Sequence, residues 1–142
     1  EFPLGRKNSM QLKRIDLKKE KNISQSKIRF KTYSPLLVRD HNEKINKDWF
    51  YKFSDNNFEK ILKANLKNRL NKVFDRKVEN DIENLKLKPI NMKKTVIKNY
   101  NIQFPGSLGS FELEGKPYLL DYFYKAGIGS KKSAGFGMLE IM

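Results

Sequence analysis

Between Ser26 and Ser34 the chain alternates: Ile28, Phe30 and Thr32 fall between Arg29, Lys31 and Tyr33. A period of two predicts a strand with one buried face. Ser34-Pro35 should end or bend it, because proline has no N–H for the ladder. Leu36-Leu37-Val38 then runs up to Arg39. The period changes after Asn57. Phe58, Ile61, Leu62, Leu66, Leu70, Val73 and Phe74 keep the three-and-four spacing of one apolar stripe, which predicts a helix over 57–74. Asn56, three residues before Glu59, is a variant of the capping box at its start. Lys60, Lys63, Lys67 and Lys72 fall on the opposite, solvated face.

Alternation returns at Leu85 and Leu87 and again at Tyr100, Ile102 and Phe104, with lysines between. Pro105-Gly106 and Gly109 read as turns, and FELEG resumes the alternation before Gly115, so two or three strands with a basic hairpin are expected. PYLLDYFYKAG predicts a short apolar helix, with Pro117 in its first turn and Gly127 just past its end. Phe136, Met138 and Ile141 suggest a last strand. The order strand, helix, two strands, helix, strand is that of an α+β, ferredoxin-like (βαββαβ) domain. Its sheet is antiparallel, its helices share one face, and here a glycine-rich loop precedes the last strand. This unit covers 26–142; residues 1–25 are polar and basic apart from Leu12, Ile15 and Leu17.

Composition narrows the chemistry. The 142 residues contain no cysteine and one histidine, His41, which excludes a disulfide framework, a cysteine nucleophile and a His-rich metal site. No apolar run approaches the ~18 residues of a membrane span, and the first twenty residues lack a signal-peptide core, so a soluble, cytoplasmic protein is expected with no membrane partner. Thirty Lys+Arg stand against sixteen Asp+Glu, a net charge of +14. Such a field attracts polyanions, whose phosphates release counterions on contact. The basic residues are also unevenly placed. From Asn84 to Phe111 there is no carboxylate, and Lys86, Lys88, Lys93, Lys94 and Lys98 all lie in that window. Nucleic acid is the leading partner.

The stretch KAGIGSKKSAGFGMLEI sets Gly127, Gly129, Gly135 and Gly137 around Ser130, Lys131, Lys132 and Ser133. It is not a dinucleotide loop, because it follows a helix and leads into a strand, so no helix N-terminus receives a pyrophosphate. The Walker spacing is absent too. Two readings of the glycines remain. They either let successive N–H groups cradle a phosphate oxygen or permit a tight helix-to-strand passage. The neighbouring lysines and the overall charge favour an RNA or DNA backbone.

GIGSKKSAGFGMLEI resembles the glycine-rich loop of the CRISPR repeat-processing endoribonucleases of the RAMP superfamily. FKTYSPLLVR is similar to that family's segment F-x-T-x-S-P-hydrophobic-hydrophobic-V, and GSFELEGKPYLLDYFYKAGIG to its run into the loop. Together these stretches span most of residues 28–141 in the family's order. The resemblance implies the C-terminal of two ferredoxin-like halves, with residues 1–25 as the linker or the end of the other half. It implies cleavage of CRISPR precursor RNA within repeats, without metal or cofactor. A 2′-hydroxyl attacks the phosphate, leaving a 2′,3′-type phosphate and a 5′-hydroxyl. The family's catalytic histidine belongs to the N-terminal half. His41, in the polar loop VRDHNEK expected just after the Ser-Pro segment, does not match it and reads as an exposed bystander, with Arg39 near enough to steady a phosphate if it did act.

Repeat RNA is the implied partner, held mainly by shape and phosphate contacts. The expected RNA-binding residues are Gly127, Gly129, Ser130, Lys131, Lys132, Ser133, Gly135 and Gly137 in the loop. Arg39 joins them, with Lys86, Lys88, Lys93, Lys94 and Lys98 on the basic hairpin. Of the tyrosines that could stack on bases, Tyr33 and Tyr100 stay open, whereas Tyr122 and Tyr124 read as core. The alternative function is a non-catalytic RAMP subunit that binds guide RNA beside other CRISPR effector subunits. A basic RNA-binding domain without a CRISPR link ranks third.

Overall fold

The computed structural model describes residues 9–74 and 78–142, and the backbone of residues 2–3. Of the expected linker, residues 1 and 4–8 lie outside the described residues. The rest is a two-residue pairing of β1 (Phe2–Pro3) with β2 (Ser9–Met10), followed by chain without regular structure up to residue 25. The domain begins at β3 (Lys27–Thr32), where Ile28, Phe30 and Thr32 are buried and the residues between them exposed.

Four strands form the central sheet. Its order is β6 (Lys86–Asn99), β7 (Ile102–Glu114), β3, β8 (Leu139–Ile141), and all neighbours are antiparallel. This is the ferredoxin-like arrangement expected from the element order. α1 (Phe58–Val73) and α3 (Pro117–Ala126) cover one face of the sheet. Phe58, Leu62, Leu66 and Leu70 of α1 and Leu119, Leu120 and Phe123 of α3 meet Ile28, Phe30, Phe111 and Leu113 in one core. The short α2 (Glu79–Glu83) adds Ile82. Lys27 and Arg29 look out from the other face, where they meet Glu112 and Glu114 at 3.3–3.8 Å.

Several local expectations give way. The stretch after Val38 is not a loop but a hairpin of β4 (Val38–Asn42) and β5 (Lys47–Tyr51), inserted between β3 and α1. Most of its side chains are exposed, so it lacks the alternation that marks a half-buried strand. The N-cap of α1 is Asn57, with no side-chain cap, and Glu59 pairs with Lys63 at 2.9 Å instead of closing a capping box with Asn56. The opposite face of α1 is also less solvated than expected, since Lys63 and Lys67 both reach Glu83. Phe74 lies just past the helix, edge-on to Tyr118 and Tyr122.

Residues 86–114 form a single long hairpin. Its turn is Tyr100-Asn101, both at positive φ (45° and 64°), as a tight two-residue turn requires. Pro105-Gly106 and Gly109 are not turns; they lie inside β7. A Cβ on Gly106 would stand 2.7 Å from Ile97 and 2.9 Å from Leu37, so this glycine admits close packing. Gly109 (φ 130°) lies beside the bulge between Pro89 and Asn91, and its N–H finds Thr32 Oγ1 at 2.9 Å.

Candidate nucleic-acid interface

The glycine loop is built by hydrogen bonds to the Ser-Pro segment. Leu36 exchanges both backbone bonds with Ser107 (2.8 and 3.0 Å), which pins the segment to β7. The Leu37 carbonyl then accepts from Ser130 N–H (2.7 Å) and the Pro35 carbonyl from Gly137 N–H (2.9 Å), while Ile128 N–H closes the loop on the Gly137 carbonyl (2.9 Å). Gly127, Gly129, Gly135 and Gly137 all lie at positive φ. At three of them there is also no room: a Cβ on Gly127 would sit 2.9 Å from the Gly137 carbonyl oxygen, and the other two are tighter still. A Cβ on Gly137 would sit 1.9 Å from the Ile128 carbonyl oxygen, and one on Gly129 would sit 2.4 Å from that of Leu37. Phe136 packs edge-on to Phe104, which stacks on Phe50 at 4.4 Å between centroids. The loop, the β4–β5 hairpin and the long hairpin therefore share a second small core.

Ser130 is buried with its oxygen turned inward. It accepts from Arg39 N–H at 3.1 Å, and Asn65 of α1 lies at 3.5 Å from it while donating to the Arg39 carbonyl at 2.8 Å. Arg69, one turn along α1, donates to the Gly129 carbonyl at 3.2 Å. The two loop lysines diverge. Lys131 adopts a left-handed conformation (φ 56°) and lines an open cleft of about 750 Å³ between the β4–β5 hairpin, α1 and the loop. Lys132 turns back, 5.0 Å from the Tyr122 ring centre and 3.5 Å from the Gly127 carbonyl. Burial, with Arg69 adding repulsion, holds its ammonium below the usual lysine range. Ser133 lies in a single 3₁₀ turn with Gly135 just past it.

Arg39 and Lys131 thus meet in one cleft, and His41 joins them. Its Nδ1 lies 2.7 Å from Asp48 Oδ1, across the hairpin at the paired position, and Arg39 reaches the same carboxylate at 3.4 Å. That hydrogen bond chiefly holds Asp48 below the usual carboxylate range, and Arg39 and Lys131 act in the same direction. Asp48 and Arg69 were not singled out from the sequence, and Lys72, expected only on the solvated face of the helix, lines the cleft. The available signal for Asp48 was Asn46, a turn-prone residue now seen at φ 47°, ahead of the strand-prone run Trp49-Phe50-Tyr51.

The hairpin lysines form a separate group. Near the base Lys86 lies 3.9 Å from Glu114, and Lys88 is paired in register with Glu112. Beyond the bulge Lys93, Lys94 and Lys98 face Leu108, Ser107 and Gln103, and Lys93 and Lys98 make no ion pair among the described residues. Tyr100, at the tip, is almost fully exposed, and Tyr33 is half exposed beneath Lys18. Tyr122 and Tyr124 pack against the core. Among the described residues, no helix is long and apolar enough to cross a membrane.

A family model described as CRISPR associated protein Cas6, C-terminal, matches residues 18–141. A solved structure described as a Cas6-related gene from Pyrococcus furiosus is 28% identical and superposes with a TM-score of 0.75, over 87% of this chain and 51% of that one. A CRISPR associated protein Cas6 is 26% identical, with a TM-score of 0.67 over 81% of this chain and 48% of that one. A third, described as an RAMP protein binding different RNA substrates, shares the fold at 23% identity and a TM-score of 0.72, over 94% of this chain and 52% of that one. No curated protein sequence matches the chain. The chain spans about half the length of the solved structures it resembles. With the family model covering nearly the whole domain, the loop and Ser-Pro segment included, the chain belongs to the CRISPR-associated Cas6 family and corresponds to its C-terminal domain.

Proposed function

We propose that this chain is the RNA-binding C-terminal half of a CRISPR precursor-RNA endoribonuclease, with residues 1–25 leading in from a preceding ferredoxin-like half that carries the catalytic histidine. The supporting observation is the distal half of the long hairpin. It carries Lys93, Lys94 and Lys98 in a stretch without carboxylates, opposite neutral partners on β7. Lysines held on a rigid two-stranded arm suit the phosphates of an RNA helix, whose deep major groove hides its base edges. Family membership supports an endoribonuclease of the metal-independent kind, in which the 2′-oxygen bonds to phosphorus as the bond to the 5′-oxygen breaks.

Incubating the 142-residue chain with end-labelled repeat RNA in EDTA tests both parts of this reading. A shifted complex without cleavage is expected. Cleavage would move the active site onto this chain, and the absence of a complex would remove the RNA-binding role.

A further inference from the structure

Resting on that RNA-binding reading, we infer that the cleft between the β4–β5 hairpin, α1 and the glycine loop holds an RNA phosphodiester, and that His41 is its proton-controlled ligand.

The argument starts from hydrogen-bond capacity. Asp48 is an acceptor, so the 2.7 Å contact assigns the proton on that side of the ring to His41 Nδ1. Only Nε2 is left to address a ligand. In the neutral ring Nε2 carries a lone pair, which repels a phosphate oxygen. In the imidazolium it carries an N–H, which donates to one. His41 can therefore donate to a phosphodiester only when doubly protonated, and the Asp48 carboxylate fixes the ring so that Nε2 faces the ligand side.

The charge around the ring makes the proton count. Arg39 of β4, Arg69 and Lys72 of α1, and Lys131 of the loop bring four positive charges to the cleft. Against them stand Asp40 and Glu43 on the cleft wall and Asp48 behind the imidazole. The excess is a single positive charge, and protonation of His41 doubles it. The His41 side chain is 38% exposed, so a ligand can reach it.

His41 is the only histidine, so its Cε1 proton gives one resolvable NMR signal whose pH titration reads this site alone. The titration is run on the 142-residue chain alone and with a short single-stranded RNA lacking terminal phosphates, while anisotropy follows binding in the same samples. With RNA the midpoint should rise by about one pH unit. By linkage, affinity is then greatest below the free midpoint, and about ten-fold is lost as pH rises through the bound one. His41→Asn should abolish this pH dependence, whereas Lys93→Ala with Lys98→Ala should weaken binding at every pH and keep it. RNA bound with an unmoved midpoint overturns the cleft site and leaves the RNA-binding reading intact. No binding at any pH overturns both.

Discussion

The glycine loop and the tip of the long hairpin are both basic, and both are expected from the sequence to hold RNA, yet they are built in opposite ways. In the loop, backbone N–H groups at Ile128, Ser130 and Gly137 bond to the protein's own carbonyls, and Ser130 accepts from Arg39. Toward the tip the ladder satisfies the backbone, and Lys93, Lys94 and Lys98 have no acid opposite them on β7. Gly127, Gly129 and Gly137 therefore mark where the loop is folded against its neighbours, whereas Lys93 and Lys98 stand on a surface that makes no ion pair among the described residues. A loop whose donors are largely committed still aims side chains, and this one directs Lys131 into the cleft that Arg39 of β4 also lines.

The sharpest way to break this contrast is to add one methyl group. Gly137→Ala places a Cβ on the Ile128 carbonyl oxygen at a φ of 74°, a backbone clash that no side chain can relieve. A loss of at least about 3 kcal/mol is expected in chemical denaturation. Gly135→Ala, with nothing within 4 Å, meets only the left-handed penalty of about 1–2 kcal/mol. Equal losses would mean that packing is not what selects these glycines, and the cradle reading would regain ground.

These glycines also show how far the sequence is readable. β3, α1, α3 and the order of the sheet follow from buried faces, and burial is what periodicity reports. The β4–β5 hairpin buries only Val38 and Phe50, so it left no period to find. Gly106 and Gly109 were read as turns because the usual reason for glycine is a turn. Here the reasons are a neighbouring side chain and a bulge, which come from another strand. The true turn, Tyr100-Asn101, carries no glycine. As for the candidate site, the sequence singled out Arg39, Ser130 and Lys131, which the fold brings together, but could not show that Asp48 stands across from His41, because that depends on register.

The lysines sharpen the comparison at a smaller scale. Lys93→Ala with Lys98→Ala should flatten the log–log salt dependence of RNA binding by about 1.5, at 0.7–0.9 per phosphate contact. Lys131→Ala should flatten it by about 0.8, a single contact on the same scale. Lys132→Ala should leave the slope unchanged and cost roughly 0.5–1 kcal/mol of stability, because its ammonium lies over Tyr122. The four measurements need only titrations at several salt concentrations and one unfolding series. Equal slopes for Lys131→Ala and Lys132→Ala would show that the loop swings both lysines to RNA, and would erase the division drawn between them.

The smallest expected effect concerns Asp48, where the cleft meets the hairpin. Its carboxyl is held below its ordinary value of 3.8, so the folded state favours the ionised form. A group of this sign contributes stability that is complete above the unfolded pKa and is lost as pH falls through the folded one. Asp48 is about a third exposed, so solvent screens the contribution and keeps it small. Wild type and Asp48→Asn should therefore differ in stability by a constant amount from neutral pH down to about 4, and converge below that as the carboxylate takes up its proton. A gap that persisted under acid would mean that Asp48 supports the hairpin by shape alone. His41 would then lose the fixed anion that holds its ring, and the cleft would rest on Arg39 and Lys131.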